Sequence, residues 1–183
     1  AGAIKNCGKL LKDTFLVMTG DLLTTINLNE MKNFHHKKNA FITMCTKELD
    51  DPTGYGLVKF DSNRRITRFI EKPEDWREFN TNSINTAVWF MDLGVLDFIP
   101  SNVKYSAEYE LFPALLKARK PFYSYPTSEY WLDFGNPSKY MQAHRAFFDG
   151  QIEFDNAIQI SEKFWVEDKF DIYPGMKFQK PLY

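Results

Sequence analysis

The fold is decided by the stretch Phe15-Leu16-Val17-Met18-Thr19-Gly20-Asp21. Its run of apolar and β-favouring residues predicts a strand covered on both faces, as in the sheet of an α/β protein. Gly20 has no Cβ, so the backbone there can approach a ligand closely. Asp21 follows the carboxyl end of the strand, which is where open α/β sheets bind ligands. A lone Gly-Asp pair also suits a plain turn, so the functional interpretation depends on residues further along the chain.

Length and composition suit one substantial domain with a short appendage, since 44% of the 183 residues are hydrophobic. Lys and Arg total 23 and Asp and Glu total 24, so the net charge of -1 predicts neither a nucleic-acid partner nor a membrane partner. No apolar run is long enough to span a bilayer. Cys7 and Cys45 form neither a disulfide framework nor a metal-ligand cluster. We therefore expect buried free thiols and a cytoplasmic location.

The chain opens on Ala1-Gly2-Ala3-Ile4 and enters a predicted helix over residues 1–12, with Ile4, Leu10 and Leu11 facing inward. A doubly wound sheet normally opens with a strand and a ligand-binding loop. We therefore expect a fold that is incomplete at its N-terminus.

A strand–helix–strand unit follows. Residues 14–21 form the first strand, and Asn27 with Glu30 three positions later predicts the start of a helix that runs to about Lys38. The next buried strand covers residues 40–46. This order predicts a right-handed crossover and a parallel pair of strands.

The rest of the chain adds a β region and a final helix. Strands are predicted at 57–60, 66–70, 83–91, 122–125 and 130–133, and helices at 94–99, 109–118 and 137–148. After Gly150 the alternation changes to period two, which predicts a short β appendage over 151–183 beside a main domain of 1–150. The predicted class is α/β, with a Rossmann-like, mostly parallel sheet and a short C-terminal β segment.

Chemistry-bearing residues recur at the ends of these strands. Two carboxylates, Asp21 and Asp133, are of the type that holds Mg²⁺ together with phosphate. Lys72 can neutralise a phosphate as a point charge. Pro73 predicts an extended backbone at Lys72, so that the lysine continues the strand face of residues 66, 68 and 70. Taken singly, each residue also has an ordinary structural interpretation, such as a solvated strand-end lysine or a helix cap.

In their order along the chain, these stretches resemble the nucleotide-sugar pyrophosphorylase family, the sugar-1-phosphate nucleotidyltransferases. The resemblance covers residues 1–150 almost throughout. It is carried by the stretches Ala1–Ile4, Val17–Asp21, Tyr55-Gly56, Phe69–Pro73, Ile84–Trp89, Leu111–Pro113 and Trp131–Pro137. The chain departs from the family at Ala87, where glycine is usual, and it lacks the glycine-rich triphosphate loop. Residues 151–183 loosely resemble the start of a left-handed β-helix.

The resemblance implies a reaction of a nucleoside triphosphate with a sugar 1-phosphate, which gives a nucleotide sugar and pyrophosphate. It implies that Asp21 and Asp133 converge on one Mg²⁺ and that Lys72 grips the sugar phosphate. The resemblance also implies that the sugar hydroxyls are bound by Glu71, Asn85 and Gly56. Mannose or glucose 1-phosphate is the expected sugar substrate, and a homo-oligomer is left open. Because the triphosphate loop is missing, we expect the isolated chain to be inactive.

Two other functions are weighed against this hypothesis. A nucleotide-sugar-dependent glycosyltransferase typically presents Asp-x-Asp at the metal strand, whereas Leu22 and Leu23 follow Asp21 here. A non-catalytic subunit that binds a sugar nucleotide is favoured by the missing loop. Pyrophosphate release, assayed with and without upstream sequence, would separate the catalytic from the non-catalytic interpretation.

Overall fold

The computed structural model describes residues 1–153, 157–161 and 164–167. The chain divides into two compact units, Ala1–Trp131 and Leu132–Tyr183. The domain boundary expected near residue 150 stays a prediction.

The elements follow one another in this order. The strands are β1 (Phe15–Met18), β2 (Leu22–Thr24), β3 (Ile42–Glu48), β4 (Leu57–Phe60), β5 (Ile66–Ile70), β6 (Ser83–Met91), β7 (Phe122–Pro126), β8 (Trp131–Asp133), β9 (Ala157–Ser161) and β10 (Phe164–Glu167). The α-helices are α1 (Gly2–Asn6), α2 (Leu28–Lys37), α3 (Phe112–Lys117) and α4 (Pro137–Phe148). Short 3₁₀ segments cover Gly8–Leu10, Trp76–Phe79 and Leu93–Phe98, and a π-helical turn covers Ala107–Leu111.

A six-stranded sheet forms the first unit, with the order β5-β4-β6-β3-β7 and with β1 paired to β6. In the described residues, β3 and β7 are parallel neighbours, whereas β6 runs antiparallel to β1, β3 and β4. Four strands (β1, β3, β4 and β7) therefore share one direction, and β5 and β6 run the other way. The α/β class is confirmed, with a sheet that is mixed in strand direction.

The expected pairing of the first two strands is wrong in one respect. β1 and β3 run in the same direction, but β6 lies between them, because Met91 pairs with both Phe15 and Ile42. Pairing between strands distant in sequence decides this order, and the local strand–helix–strand pattern carries no information about an inserted strand.

β1 is not covered on both faces. Leu16 and Met18 are 37% and 38% exposed, whereas Phe15 and Val17 pack against the core. Among the described residues β1 has β6 as its strand partner, so β1 lies at an edge. The predicted helix over 1–12 is also shorter than expected, and Leu10 is 80% exposed.

Local signals elsewhere are confirmed. Asn27 caps α2, and its side-chain oxygen accepts a hydrogen bond from the backbone N–H of Glu30. Pro137 occupies the first turn of α4, as is usual for proline at a helix start. The period-two alternation predicted β structure after Gly150, and strands β9 and β10 lie there and pair antiparallel with each other. The rest of the 151–183 appendage lies outside the described residues.

The core of the first unit lies between the sheet and the segment that carries α3. Its largest fully buried side chains include Phe112, Phe122, Ile42 and Met44. Both cysteines are free, but Cys7 is exposed, contrary to expectation. Cys45 is buried, and its burial raises the pKa of the thiol to about 11. None of the helices in the described part of the chain is both long and apolar enough to cross a membrane.

Candidate functional site

The site is organised by an interruption along one edge of β6. Met18 of β1 pairs with Val88, and Leu57 of β4 pairs with Ile84. Because β3 occupies the opposite edge of β6, residues 85–87 lie between the ends of β1 and β4. We call this interval, Asn85–Ala87, the β6 gap. Strand ends whose backbone is not fully paired are suitable places for a ligand to approach.

Gly56 forms one rim of the β6 gap. Its carbonyl oxygen accepts a hydrogen bond of 2.8 Å from the N–H of Asn85. A Cβ at Gly56 would lie 2.5 Å from Oε2 of Glu71 and 2.8 Å from the Phe69 ring. Since real Cβ atoms do not approach so closely, glycine is required for the Glu71 carboxylate to lie against the Tyr-Gly turn. The structure therefore brings together Gly56, Glu71 and Asn85, and their role in binding the sugar stays a prediction.

The Glu71 carboxyl is largely buried, with its side chain 11% exposed. Its pKa is raised, mainly because burial disfavours the charged form and also because the Glu108 carboxylate is near. Lys72 opposes this shift and places its Nζ 3.9 Å from Oε1 of Glu71. Because the Lys72 side chain is 60% exposed and the pair is as long as 3.9 Å, the ion pair is weak, and the lysine can exchange Glu71 for an anionic ligand.

The backbone of Lys72 is not extended. Its φ of +42° lies in the left-handed region, although Pro73 disfavours helical backbone at the preceding residue. The lysine therefore does not simply continue the face of β5, and that expectation is wrong. The Lys72 side chain is 60% exposed beside the buried Glu71. A left-handed non-glycine residue beside a buried acid is the kind of local strain that accumulates at functional sites.

Asn85 is held inside the sheet. Its Oδ1 accepts hydrogen bonds from Nε1 of Trp89 at 2.8 Å and from the N–H of Ala87 at 3.0 Å. In the described residues, the side-chain amide nitrogen makes no comparable bond, so it is the group of Asn85 that remains for a ligand. Ala87 has a φ of +58°, and this explains why the resembling family favours glycine at that position.

Asp21 follows β1 where the β6 gap begins, because β1 ends opposite Val88. Its side chain is exposed and makes no hydrogen bond or ion pair with the described residues. Asp133 belongs to the second unit, where its carboxylate accepts from the N–H of Gly135 and lies 3.4 Å from Nζ of Lys139. The helix cap of α4 is Asn136, not Asp133. The convergence of Asp21 and Asp133 on one site stays a prediction.

Sequence reasoning missed two aromatic contacts at the β6 gap. Nε1 of Trp131 donates a hydrogen bond of 2.9 Å to the carbonyl oxygen of Thr86, and the Trp131 ring meets Tyr55 edge to face at 5.6 Å. Both residues stood inside stretches that carried the resemblance, but a long-range contact between them has no local sequence signal. The nearby Glu108 was missed for the same reason.

The gap therefore combines a largely buried acid, an exposed cation, an amide and two half-buried aromatic rings. Hydrogen-bonding groups of this kind bind sugar hydroxyls, and the cation suits a phosphate. In the described residues, no three His, Cys, Asp or Glu side chains cluster to hold a metal ion. Mg²⁺ often takes only one or two protein carboxylates and completes its shell with phosphate and water, so an exposed Asp21 fits it chemically.

The chain belongs to the nucleotidyl transferase family, whose sequence pattern matches residues 1–150.

Curated relatives carry consistent names. The chain is 35% identical to a mannose-1-phosphate guanylyltransferase of Mycobacterium tuberculosis over 143 residues, which are 77% of this chain and 39% of that protein. It is 33% identical to a UTP–glucose-1-phosphate uridylyltransferase of a Synechocystis species over 152 residues, or 82% of this chain and 39% of that protein. The chain thus spans about two fifths of the length of these relatives.

Solved structures share the fold. HddC from Yersinia pseudotuberculosis superposes with a TM-score of 0.64 at 24% identity, covering 78% of this chain and 59% of that one. A putative glucose-1-phosphate thymidylyltransferase from Bacillus anthracis superposes with a TM-score of 0.65 at 21% identity, covering 77% and 57%. At these identities the superpositions confirm the fold class.

Proposed function

We propose that this chain is part of a sugar-1-phosphate nucleotidyltransferase, which converts a nucleoside triphosphate and a sugar 1-phosphate into a nucleotide sugar and pyrophosphate. The observation that carries the proposal is the packing of Glu71 against Gly56 and, through that turn, against Asn85 at the β6 gap. Residues predicted separately from three distant stretches meet there, beside the exposed Lys72. Membership of the family, with relatives named for this reaction, supports the same conclusion.

Each residue has a role that follows from its environment. Lys72 binds the phosphate of the sugar 1-phosphate as a point charge and leaves its weak ion pair with Glu71. Glu71 accepts hydrogen bonds from sugar hydroxyls, and its raised pKa follows from the burial that holds it against the sugar. Asn85 donates from its free amide nitrogen, since its oxygen is already bonded to Trp89. Gly56 keeps the backbone close enough for these contacts.

The chemical step is an in-line displacement at phosphorus. A phosphate oxygen of the sugar 1-phosphate attacks the α-phosphorus of the triphosphate, and the bond from that phosphorus to the bridging oxygen breaks, so that pyrophosphate leaves. Such transfers depend on positioning and on neutralising charge more than on covalent chemistry. The residues of this chain contribute by fixing the attacking phosphate at Lys72 and the sugar at Glu71 and Asn85.

We propose Mg²⁺ as the cofactor, with Asp21 and Asp133 as its protein ligands. When bound, the ion neutralises phosphate charge and orients the reacting groups. Asp133 would have to exchange its ion pair with Lys139 for the metal. We further propose that residues 1–150 form the catalytic part, in agreement with the extent of the family match, and that the protein is cytoplasmic, since its free cysteines suit a reducing compartment.

The sugar proposed is mannose or glucose, attached through its 1-phosphate. The relatives named above act, by their names, on mannose 1-phosphate and on glucose 1-phosphate, and they differ in the base. The β6 gap holds sugar-facing groups but no feature that selects a base. The base is therefore left open within the proposal.

Calorimetric titration tests the proposal without requiring turnover. The chain is titrated with mannose 1-phosphate, with glucose 1-phosphate and with each unphosphorylated sugar. We expect saturable binding of a sugar 1-phosphate, weakened roughly tenfold or more by Lys72→Ala, the size of one lost charge-assisted contact. Lys104→Ala, at another exposed lysine, is the matched control and should bind like the parent chain. Binding of neither sugar phosphate, or equal effects of both variants, would contradict the proposal.

A further inference from the structure

The first unit contains a second concave site, on the other side of Ile84 along β6. The sheet path curls so that its two ends meet: Arg65 bridges Tyr123 of β7, and the N–H of Ser124 donates a hydrogen bond of 2.8 Å to the carbonyl oxygen of Arg64. A cavity of about 580 Å³ opens where the hairpin of β4 and β5, the end of β3 and the segment after β7 come together. We call it the hairpin cavity.

The hairpin cavity is separate from the β6 gap. Its lining contains none of the residues assigned to the sugar site, and it reaches β6 at Ser83, the first residue of that strand. Its lining includes Lys47, Glu48, Phe60, Arg64, Ser83 and Ser128. Most of these side chains are polar, so the cavity suits a hydrophilic ligand.

Arg64 is the side chain of this cavity that is best placed to bind an anion. Its guanidinium stacks over the Phe60 ring at 4.9 Å, and this contact restricts the side chain. Within the described residues the guanidinium makes no hydrogen bond or ion pair, so the donors along its edge are unused. A planar guanidinium held on an aromatic face presents paired N–H groups that match a phosphate or carboxylate.

The backbone of Arg64 is fixed as well. Its φ of +66° is left-handed, and the position is held by hydrogen bonds from its own N–H to Asp61 and from Ser124 to its carbonyl oxygen. Arginine gains nothing from this conformation, which favours glycine or asparagine. The left-handed residue closes the turn between β4 and β5, and the turn places the Arg64 side chain over Phe60 at the cavity wall.

The opposite wall is held by Lys47. Its Nζ donates to the carbonyl oxygens of Ser128 at 3.2 Å and of Glu129 at 2.7 Å, which ties the segment after β7 to β3. Lys47 and Arg64 together place two positive charges at the cavity against the one carboxylate of Glu48. The local charge therefore favours an anion. The hydroxyls of Ser83 and Ser128 can form hydrogen bonds with the polar, uncharged part of such a ligand.

We propose that the hairpin cavity binds a small hydroxylated phosphomonoester, with its phosphate on Arg64. A volume near 580 Å³ lies within the usual range of about 300–1,000 Å³ for small-molecule sites and exceeds what a bare phosphate would fill. This site is additional to the sugar-1-phosphate site and does not depend on it. β3 and β6 border both sites, since Lys47 pairs with Ile84 beside Asn85.

The test uses the whole chain carrying Lys72→Ala, so that a phosphate at the sugar site does not contribute. Ribose 5-phosphate and ribose are titrated by calorimetry against this chain. We expect saturable binding of ribose 5-phosphate, with ribose at least tenfold weaker. Arg64→Asn should weaken ribose 5-phosphate roughly tenfold or more, the effect of losing a charge-assisted contact. Asparagine tolerates a left-handed backbone, so this variant keeps the turn.

Arg68→Asn is the matched control, because Arg68 also stacks on a phenylalanine, Phe79 at 5.0 Å, but lies outside the cavity. It should leave ribose 5-phosphate binding unchanged. Arg64→Lys keeps the charge without the guanidinium fork and should give an intermediate affinity. The proposal is overturned if the Lys72→Ala chain binds no ribose 5-phosphate, if ribose binds equally well, or if the two asparagine variants weaken binding alike. A failure here leaves the sugar-1-phosphate site untouched, since that titration uses Lys72 and other ligands.

Discussion

The β6 gap and the buried part of β3 lie in the same sheet and contrast in almost every local property. Residues Ile42–Cys45 are fully buried, and none of them has a positive φ. At the gap, Ala87 has a positive φ, the Glu71 carboxyl is held in a largely buried position, and Lys72, which follows Glu71, also has a positive φ. The buried part of β3 is packed as an ordinary core strand, whereas the gap has a left-handed residue and a largely buried acid.

This contrast indicates that buried strands such as β3 stabilise the fold, and it supports the proposal that the gap binds the ligand. Regular buried strands contribute stability through apolar burial. Strained backbone and a desolvated acid cost stability, and proteins retain such features mainly at functional sites. Substitutions in β3 should therefore damage folding, whereas those at the gap should mainly damage ligand binding.

The largest effect is expected in the core. Met44→Ala, at a fully buried position, should reduce the free energy of unfolding by about 2–5 kcal/mol, through lost burial and the cavity left behind. Met18→Ala, on the 38% exposed face of β1, is the matched control and should cost less than about 1 kcal/mol. Urea unfolding of both variants measures the difference. Equal losses would mean that β1 is as buried as β3.

The next effect is a loss of stability at low pH. His35 is buried, with a ring nitrogen 2.9 Å from Oγ1 of Thr43. Burial and the nearby His36 lower the pKa of His35 to about 4, whereas Asp92 opposes the shift. Because the unfolded chain takes up this proton first, stability should be constant above about pH 6.5 and fall by roughly 3 kcal/mol as the pH drops to about 4.

Unfolding at a series of pH values measures this loss. His35→Gln should flatten that part of the profile, whereas His36→Gln, at an exposed ring, should keep it. An unchanged slope in the His35 variant would assign the acid sensitivity to carboxylates instead.

Gly56→Ala tests the close approach at the gap. The new methyl would meet the Glu71 carboxylate and the Phe69 ring, which packs on Phe112. Overpacking should cost about 1–3 kcal/mol and displace Glu71, so that sugar 1-phosphate binding is lost. Gly20→Ala is the control for the free energy of unfolding, since a Cβ there meets no protein atom within 4 Å. If the Gly56→Ala variant binds sugar 1-phosphate as tightly as the parent chain does, Glu71 does not hydrogen-bond to the sugar.

The smallest expected effect is a gain. Ala87→Gly removes the cost of a left-handed alanine, about 1–2 kcal/mol, and adds a glycine entropy cost of about 0.5–1 kcal/mol. Thermal unfolding should show a net stabilisation of roughly 0.5–1 kcal/mol. The same change at Ala118, which has a φ of -78°, should destabilise instead. Destabilisation at both positions would remove the argument for strain at the gap.

The sequence predicted those features that depend on neighbours along the chain. The bounds of β4, β5, β6 and α4 agree with expectation, because hairpin turns, apolar runs and proline at a helix start are local signals. Gly56, Glu71 and Asn85 were predicted as site residues, and the structure brings them together.

Features set by distant parts of the chain were not predicted. The insertion of β6 between β1 and β3 left Leu16 exposed, and no pattern within β1 reveals an edge. The left-handed Lys72 contradicts the rule for residues before proline, since tertiary packing around Glu71 overrides a local preference. The positive φ of Ala87 could have been predicted, because the family that the chain resembles usually has glycine at that position.

The proposed binding of sugar 1-phosphate at the β6 gap can be tested by amide chemical-shift mapping of the chain with mannose 1-phosphate and glucose 1-phosphate. In a chain that carries Arg64→Asn, which removes the proposed phosphate contact of the hairpin cavity, saturating ligand should shift the amides of Gly56, Glu71, Lys72, Asn85 and Ala87. No saturable shifts at the gap, or shifts that cluster at Ser83 and Ser128 instead, would contradict binding at the gap.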